Sequence, residues 1–246
     1  YYNKGVSVYD KLFDKFKEIE SLPQNDNSLQ NASVTAIAQD AKDQLWIATD
    51  GGGIDVLDRQ DGTYNHVNSS KSSIYKGLTS DYIESLFIDD KQNIWAGSWD
   101  KGLFYLESGA KNFKNFNTQN TNQQLSSNSI LTIGQDTRGI IWLGTFNGGL
   151  QSYNPATKEF THHDSGSFKE YNLSNVEIRK LLVDKEGIIW VAATTGFYKV
   201  EPLNGVSYKV VPMRDKMPKE YMKHNSSNNI LSLFQSSDGA IWIGTR

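Results

Sequence analysis

Five tryptophans recur at nearly equal spacing along this 246-residue chain, and no other feature constrains the fold as strongly. Successive members lie 47 to 52 residues apart: Trp46, Trp95, Trp142, Trp190 and Trp242. Six positions before them stand Asp40, Asp89, Asp136, Asp184 and Ser236, and two positions after them stand Ala48, Gly97, Gly144, Ala192 and Gly244. A period of this length predicts a repeat architecture in which each unit is one supersecondary motif.

Each repeat unit has the pattern of four short strands. In the first unit these are Val34 to Gln39, Leu45 to Thr49, Ile54 to Leu57 and a strand near Tyr64 to Val67, separated by turns rich in Asp and Gly. Four strands in about 45 residues, repeated, are typical of a β-propeller. We therefore predict an all-β fold of four-stranded antiparallel blades. The five repeated tryptophans are predicted to be structural, filling the space against a neighbouring blade.

The repeat also divides the chain, which we predict to be a single propeller domain or propeller fragment over 1–246. The predicted parts are a half-blade at 1–20, full blades at 30–68, 79–117, 126–164 and 174–212, and a half-blade at 226–246. These five blade equivalents could close a five-bladed ring or belong to a larger propeller. An alternative for the first part is a short amphipathic helix, because Leu12, Phe13, Phe16 and Ile19 fit a helical stripe. The absence of Met and of a leader at Tyr1 favours a trimmed piece of a longer protein.

Three segments carry a resemblance to a known family. Residues 37–49, 133–145 and 239–245 read IAQDAKDQLWIAT, IGQDTRGIIWLGT and GAIWIGT, and they resemble the repeat of two-component regulator propellers. The resemblance implies the periplasmic sensor region of a hybrid histidine kinase. It further implies recognition of an oligosaccharide-like ligand, a homodimeric parent receptor, and a kinase and membrane segment outside this sequence.

Candidate ligand-binding residues lie in the loops expected on one face of a propeller. These are the loops that join the second strand to the third, and each fourth strand to the next blade. Carboxylate, amide and aromatic side chains together suit a neutral sugar, whose hydroxyls need polar partners and whose C–H faces stack on rings. The candidates are Asp50, Tyr75, Tyr82, Trp99, Asp100, Phe146, Asn147 and Tyr171. Trp99 is the strongest of them, because it is the one tryptophan out of phase with the repeat.

Composition excludes several classes of site and partner. The chain has no cysteine, which excludes thiol catalysis and cysteine-ligated metals, and its net charge of -3 with no basic run argues against nucleic acid. Its apolar runs are too short to cross a bilayer. His162 and His163 are adjacent, so on a strand they point to opposite faces and cannot share a metal. We therefore expect no metal, no cofactor and no membrane insertion by this segment.

The sequence gives little support for an enzyme. Propeller glycosidases place at least two carboxylates on the innermost strands. At the positions ten and eleven before each repeated tryptophan, Glu84 is the sole carboxylate. We therefore predict a non-enzymatic receptor. The alternatives are a protein-interaction scaffold and, with less support, a polysaccharide lyase that would use His163 or His224.

Overall fold

The computed structural model describes residues 6–10, 15–70, 74–122, 124–163, 173–202, 208–213, 216 and 230–245. These residues form twenty β-strands. The chain divides into two compact units, 1–116 and 117–246. In the part of the chain that is described, no helix has the length and apolar character that a membrane span requires.

The first unit contains one hairpin and two four-stranded antiparallel sheets. The hairpin pairs β1 (Val6–Asp10) with β2 (Lys15–Ile19), and we call it the N-terminal half-blade. Blade 1 consists of β3 (Val34–Gln39), β4 (Leu45–Thr49), β5 (Gly53–Leu57) and β6 (Tyr64–Val67). Blade 2 consists of β7 (Ile83–Ile88), β8 (Ile94–Ser98), β9 (Leu103–Leu106) and β10 (Lys114–Phe116).

The second unit repeats this design with two further sheets and a final hairpin. Blade 3 consists of β11 (Ile130–Gln135), β12 (Ile141–Thr145), β13 (Leu150–Asn154) and β14 (Glu159–His162). Blade 4 consists of β15 (Ile178–Val183), β16 (Ile189–Ala193), β17 (Gly196–Pro202) and β18 (Tyr208–Pro212). The C-terminal half-blade pairs β19 (Ile230–Gln235) with β20 (Ile241–Thr245).

The predicted strands are confirmed, and one alternative is wrong. The four strands expected in the first repeat unit are β3 to β6, within one residue at each end. Over the described residues the amphipathic helix considered near Phe16 does not form, because Lys15–Ile19 is a strand paired antiparallel with Val6–Asp10; Leu12 and Phe13 lie outside the described residues. Apolar residues three and four apart also arise in short aromatic strands, so a stripe this brief does not separate the two structures.

The aspartate six residues before each of the first four repeated tryptophans closes the first hairpin turn and also binds the indole. One carboxylate oxygen accepts the backbone N–H groups two and four residues later, as Asp136 does from Arg138 and Ile140 at 2.9 and 3.1 Å. The other oxygen accepts the Nε1–H of the tryptophan, as Asp136 does from Trp142 at 3.2 Å. The same indole bond has lengths of 3.1, 2.9 and 2.8 Å in the pairs Trp46–Asp40, Trp95–Asp89 and Trp190–Asp184. The sequence predicted the turn but not this second bond.

Within each unit, the tryptophan of one sheet packs against the next sheet. Trp46 lies in a buried cluster with Ile94 and Phe113 of blade 2, and Trp142 lies in one with Ile189 and Val200 of blade 4. This packing confirms the structural role predicted for the repeated indoles.

Trp242 is the exception. Its side chain is 65% exposed, so the prediction that each repeated ring fills the space against a neighbouring blade does not hold at this position. The physical reason is local. Trp242 lies in the two-stranded C-terminal half-blade, and Ser236 replaces the aspartate that holds the other indoles. Ser236 Oγ instead bonds Asp238 and, at 3.1 Å, the carbonyl of Ala240.

Candidate ligand-binding site

A repeated backbone bond fixes the residue that follows the second strand of each blade. Its N–H donates to the carbonyl of the residue just before the first strand of the same blade. The bond lengths are 2.9 to 3.0 Å in the pairs Asp50–Ser33, Trp99–Tyr82, Phe146–Ser129 and Thr194–Glu177. Side chains at both positions therefore stand on the end of the blade where the second strand turns into the third.

A glycine at the start of the third strand, or one residue before it, makes this turn tight. Gly53 has φ of 78° and Gly149 has φ of 76°, a region that residues with a Cβ rarely adopt. A Cβ on Gly149 would lie 2.1 Å from the carbonyl oxygen of Leu173, so no other residue fits. A hydroxyl from the second strand completes the turn, as Thr145 Oγ1 does by donating to the Gly149 carbonyl at 2.9 Å.

In the first unit this geometry brings four of the predicted residues together. Tyr82 forms an isolated antiparallel bridge with Asp50 of blade 1, and its carbonyl accepts the Trp99 N–H at 3.0 Å. Ser80 Oγ donates to Asp100 Oδ1 at 2.5 Å and accepts the Tyr82 N–H at 3.1 Å. Ser80 is buried, and its position two residues before Tyr82 gave no sequence signal for this role.

The two aromatic side chains of this group face solvent. Tyr82 is 51% exposed and Trp99 is 45% exposed. By contrast, the first four repeated tryptophans are buried or half-buried: Trp46, Trp95, Trp142 and Trp190. Because both backbones are hydrogen-bonded, the rings sit on a fixed support while they remain open to a ligand. Rings held in this way are suited to stack on the C–H faces of a pyranose.

Glu84 joins the same group through a bulge. In each of the five described first strands, the residue eleven positions before the tryptophan is skipped by the pairing register; in blade 2, Ile83 pairs with Ser98 and Ser85 with Gly97, leaving Glu84 between them. A bulge of this kind re-aims a side chain. Burial raises the pKa of the Glu84 carboxyl, and the negative charge of Asp50 raises it further. We call Asp50, Tyr82, Glu84, Trp99 and Asp100 the acidic aromatic rim.

Tyr75 does not lie on the acidic aromatic rim. Its ring centroid is 5.4 Å from that of Trp46, and both rings line a cavity of about 260 Å³ beside the first hairpin turn of blade 1. In an antiparallel blade that turn is at the end opposite the rim. Burial, and secondarily the charge of Asp40, raise the pKa of Tyr75. Its loop also forms a parallel bridge from Lys76 to Asn112.

The remaining predicted residues belong to the second unit. Phe146 is half-buried and Asn147 is exposed, with φ of 57° that suits an asparagine in a turn. They occupy in blade 3 the positions of Trp99 and Asp100 in blade 2. Tyr171 lies outside the described residues.

The histidines have partners that argue for structural roles. His163 stacks on Trp142 with ring centroids 4.5 Å apart, and its Nε2 lies 2.7 Å from Ser152 Oγ. His162 contacts Gln151 instead, so the two adjacent rings do point to different sides of the sheet. Within the described residues, no group of three or more His, Asp and Glu side chains could hold a metal ion.

A buried polar residue in the third strand ties down the loop before blade 1, and a counterpart does so in blade 3. Asp55 Oδ2 accepts the Gln30 N–H at 2.9 Å, while Oδ1 lies 2.6 Å from His66 Nδ1. Gln151 occupies the same place in blade 3 and contacts His162, the counterpart of His66. Both residues stand nine positions after a repeated tryptophan, and that shared offset is the signal that could have found them.

Replacing Asp55 with asparagine is expected to change how stability depends on pH. Burial raises the pKa of Asp55 above its ordinary value of 3.8, although hydrogen bonds from Gln30 and His66 oppose the shift. The contribution of Asp55 to stability is therefore largest below pH 3.8 and is lost as pH rises through the raised folded pKa. Asparagine keeps an acceptor for Gln30, so Asp55→Asn should gain stability relative to wild type between pH 4 and pH 7.

Urea unfolding at pH 4 and at pH 7 measures the difference in stability between Asp55→Asn and wild type. Asp61→Asn serves as the control, because hydrogen bonds from Thr63 lower the pKa of that exposed carboxyl and place its titration below 3.8. A difference between Asp55→Asn and wild type that stays constant from pH 4 to pH 7 would contradict the prediction.

Comparison with known proteins identifies the repeat. The family model described as two-component regulator propeller matches residues 28–51, 124–147 and 225–246. Three segments of the chain therefore match the two-component regulator propeller repeat that the sequence resembles. Its fold is accordingly all-β, a propeller of four-stranded antiparallel blades, as the sequence predicted.

Three relatives show the extent of the likeness. The propeller is 28% identical over 216 residues to a histidine kinase of Formosa agariphila, a match that covers 85% of this chain and 15% of the kinase. An extracellular domain assigned to a hybrid two-component system of B. thetaiotaomicron is 26% identical, with a TM-score of 0.71, over 99% of this chain and 30% of that one. A second extracellular domain from B. thetaiotaomicron, assigned to a one-component system, has a TM-score of 0.71 at 20% identity over 99% and 29% of the two chains, and it supports the fold alone. The propeller thus spans less than a third of each of these proteins.

Proposed function

We propose that this propeller is a ligand-sensing part of an extracytoplasmic receptor region, located in the periplasm. It binds an oligosaccharide-like ligand without chemical change, and binding is relayed to a histidine kinase elsewhere in a homodimeric parent protein. The likeness to an extracellular domain of a hybrid two-component system supports this setting. The observation that carries the ligand-binding part is the exposed Tyr82 and Trp99 pair on a hydrogen-bonded backbone, flanked by carboxylates that can accept bonds from sugar hydroxyls.

Thermal-shift and calorimetric titration against a panel of glycan fragments tests the proposal. A saturable rise in melting temperature is expected for at least one fragment, because a ligand that binds only the folded state stabilises it by mass action. A flat response over the whole panel at millimolar concentrations would overturn the proposal.

Trp99→Ala is expected to weaken binding of the fragment found in this way by about tenfold, since loss of a stacked ring removes roughly 1.4 kcal/mol of apolar contact. The melting temperature of the free protein should change little, because Trp99 is almost half exposed. Trp242→Ala is the matched control, as it removes the same ring from another exposed position that does not belong to the rim. Equal losses of affinity in the two variants would show that the effect does not come from the rim.

A protein-interaction scaffold is the second candidate, and one observation favours it. The C-terminal half-blade exposes Leu231, Phe234 and Trp242, which are 50%, 64% and 65% accessible. Such side chains in one hairpin are suited to contact a second copy of this chain. Sedimentation velocity over a hundredfold concentration range would favour this function if mass rose with concentration and fell in Phe234→Ser.

One observation supports the enzymatic alternative and another opposes it. Asp50 acts electrostatically on Glu84, so a loop carboxylate accompanies the single carboxylate of the innermost strands. The lyase candidate His163 is stacked on Trp142 and bonded to Ser152, which suits packing better than proton transfer, and His224 lies outside the described residues. Chromatography of the panel after prolonged incubation should return each fragment intact; new products would refute a non-enzymatic receptor.

A further inference from the structure

In the three stretches of chain that carry the exposed rings, the charged side chains are almost all of one sign. Residues 49–53, 80–85 and 98–102 build the acidic aromatic rim and its support, and they contain Asp50, Asp81, Glu84 and Asp100. Lys101 is the one cation in these stretches. Its Nζ lies 3.7 Å from Asp100 Oδ2, and its side chain is about half exposed.

These carboxylates are held beside the rings and not merely nearby in the sequence. Asp50 pairs with Tyr82 in an isolated β-bridge. Ser80 donates a hydrogen bond to Asp100, the residue that follows Trp99. Asp81 accepts bonds from the Ser69 N–H and hydroxyl at 2.7 and 2.8 Å, and its carbonyl accepts the Gly51 N–H at 2.9 Å. Burial and, secondarily, the charge of Asp50 raise the pKa of Glu84, so these two carboxyl groups lie close enough to interact.

We infer that the acidic aromatic rim selects among saccharides by charge: it prefers sugars that carry a protonated amine to neutral sugars, and neutral sugars to those that carry carboxylate or sulfate groups. This inference rests on the proposed function, since it concerns the same site. Stacking on Tyr82 and Trp99 supplies affinity that is independent of charge, because every pyranose has an apolar face. The surrounding carboxylates then add attraction for a cation and repulsion for an anion, within a Debye length of the rings.

Three oligomers with one backbone separate charge from shape. Cellohexaose, a β-1,4-linked glucosamine hexamer and a β-1,4-linked glucuronate hexamer are titrated calorimetrically into the protein at pH 6. At 50 mM salt the glucosamine hexamer is expected to bind about tenfold or more tightly than the glucuronate hexamer, with cellohexaose between them. At 500 mM salt the ratio should fall to about twofold or threefold, because screening weakens exposed charges.

Variants identify the groups responsible. The double variant Asp50→Asn with Glu84→Gln should reduce the ratio between the glucosamine and glucuronate hexamers at least threefold, since both changes remove charge at nearly constant shape. Asp61→Asn removes one charge from the exposed β5–β6 turn of the same unit and should leave the ratio unchanged. Trp99→Ala should weaken all three hexamers together, because stacking is shared by the series.

The outcomes separate the two proposals. Equal affinities for the three hexamers at 50 mM salt, or a preference for the glucuronate hexamer, would overturn the inference on charge and leave ligand binding by the rim intact. A preference for the glucosamine hexamer that survives in the double variant would also overturn the inference on charge. Failure of all three hexamers to bind at millimolar concentrations would count against the proposed function itself.

Discussion

Trp142→Ala is expected to lower the free energy of unfolding by about 3 to 5 kcal/mol, the range typical of a buried aromatic truncated to alanine. The Trp142 side chain is 0% exposed. Its ring stacks on His163 and meets Tyr208 edge-on, with centroids 4.5 and 4.6 Å apart. Alanine would leave a cavity between blades 3 and 4 and would remove the donor that bonds Asp136.

Trp242→Ala is the control for this prediction, because it deletes the same side chain at the same position of the repeat. Trp242 is 65% exposed, so its loss should cost less than about 1 kcal/mol. Urea denaturation followed by far-ultraviolet circular dichroism measures both variants. Similar losses of stability would mean that burial against the next sheet is not what stabilises the repeated indoles.

The sequence predicted the blades because their pattern is local. Strand alternation, the Asp turn and the glycine near the start of the third strand recur in successive repeat units, so each copy supports the strand assignment of the others. The turn aspartate could be assigned from its spacing, whereas its bond to the indole could not. That bond depends on how the second strand twists past the turn, which no residue pattern displays.

Features that depend on the neighbouring sheet were less predictable. Trp242 stands at the same place on its second strand as Trp142, yet it is exposed, because burial of the ring depends on contact with another sheet. Tyr75 was grouped with the rim residues because its loop was expected to remain on one face. Instead Lys76 of this loop pairs with residues 111–113, just before β10, and the Tyr75 ring packs against Trp46.

The rim itself was predicted in part. Asp50, Tyr82, Trp99 and Asp100 were found from their turn positions, and the structure brings them together. Glu84 was recognised as an innermost carboxylate, but its approach to Asp50 follows from a bulge that shifts the register by one residue. Such a shift reverses the side-chain alternation on which the sequence prediction relies.

Gln151→Leu is expected to cost about 3 kcal/mol or more, although leucine nearly matches glutamine in volume. Gln151 is fully buried in β13. Its Oε1 accepts the N–H and the hydroxyl of Ser126 at 2.9 and 2.6 Å, and its Nε2 donates to the Gln124 carbonyl at 2.9 Å. Leucine would leave these partly buried groups without that partner, and each such loss costs roughly 1 to 3 kcal/mol.

Asp55→Asn is the contrasting variant at the equivalent position of blade 1. Asparagine there keeps an acceptor for the Gln30 N–H and an amide that can bond His66, so the stability of Asp55→Asn at pH 7 should lie within about 1 kcal/mol of wild type. Urea unfolding gives the global stabilities, and amide hydrogen exchange at residues 124–126 should accelerate in Gln151→Leu before global unfolding does. A loss under 1 kcal/mol in Gln151→Leu, with unchanged exchange in that loop, would show that the buried amide is not what anchors it. Because this loop leads directly into the first strand of blade 3, its attachment to Gln151 also helps to hold that strand and its bulge in place.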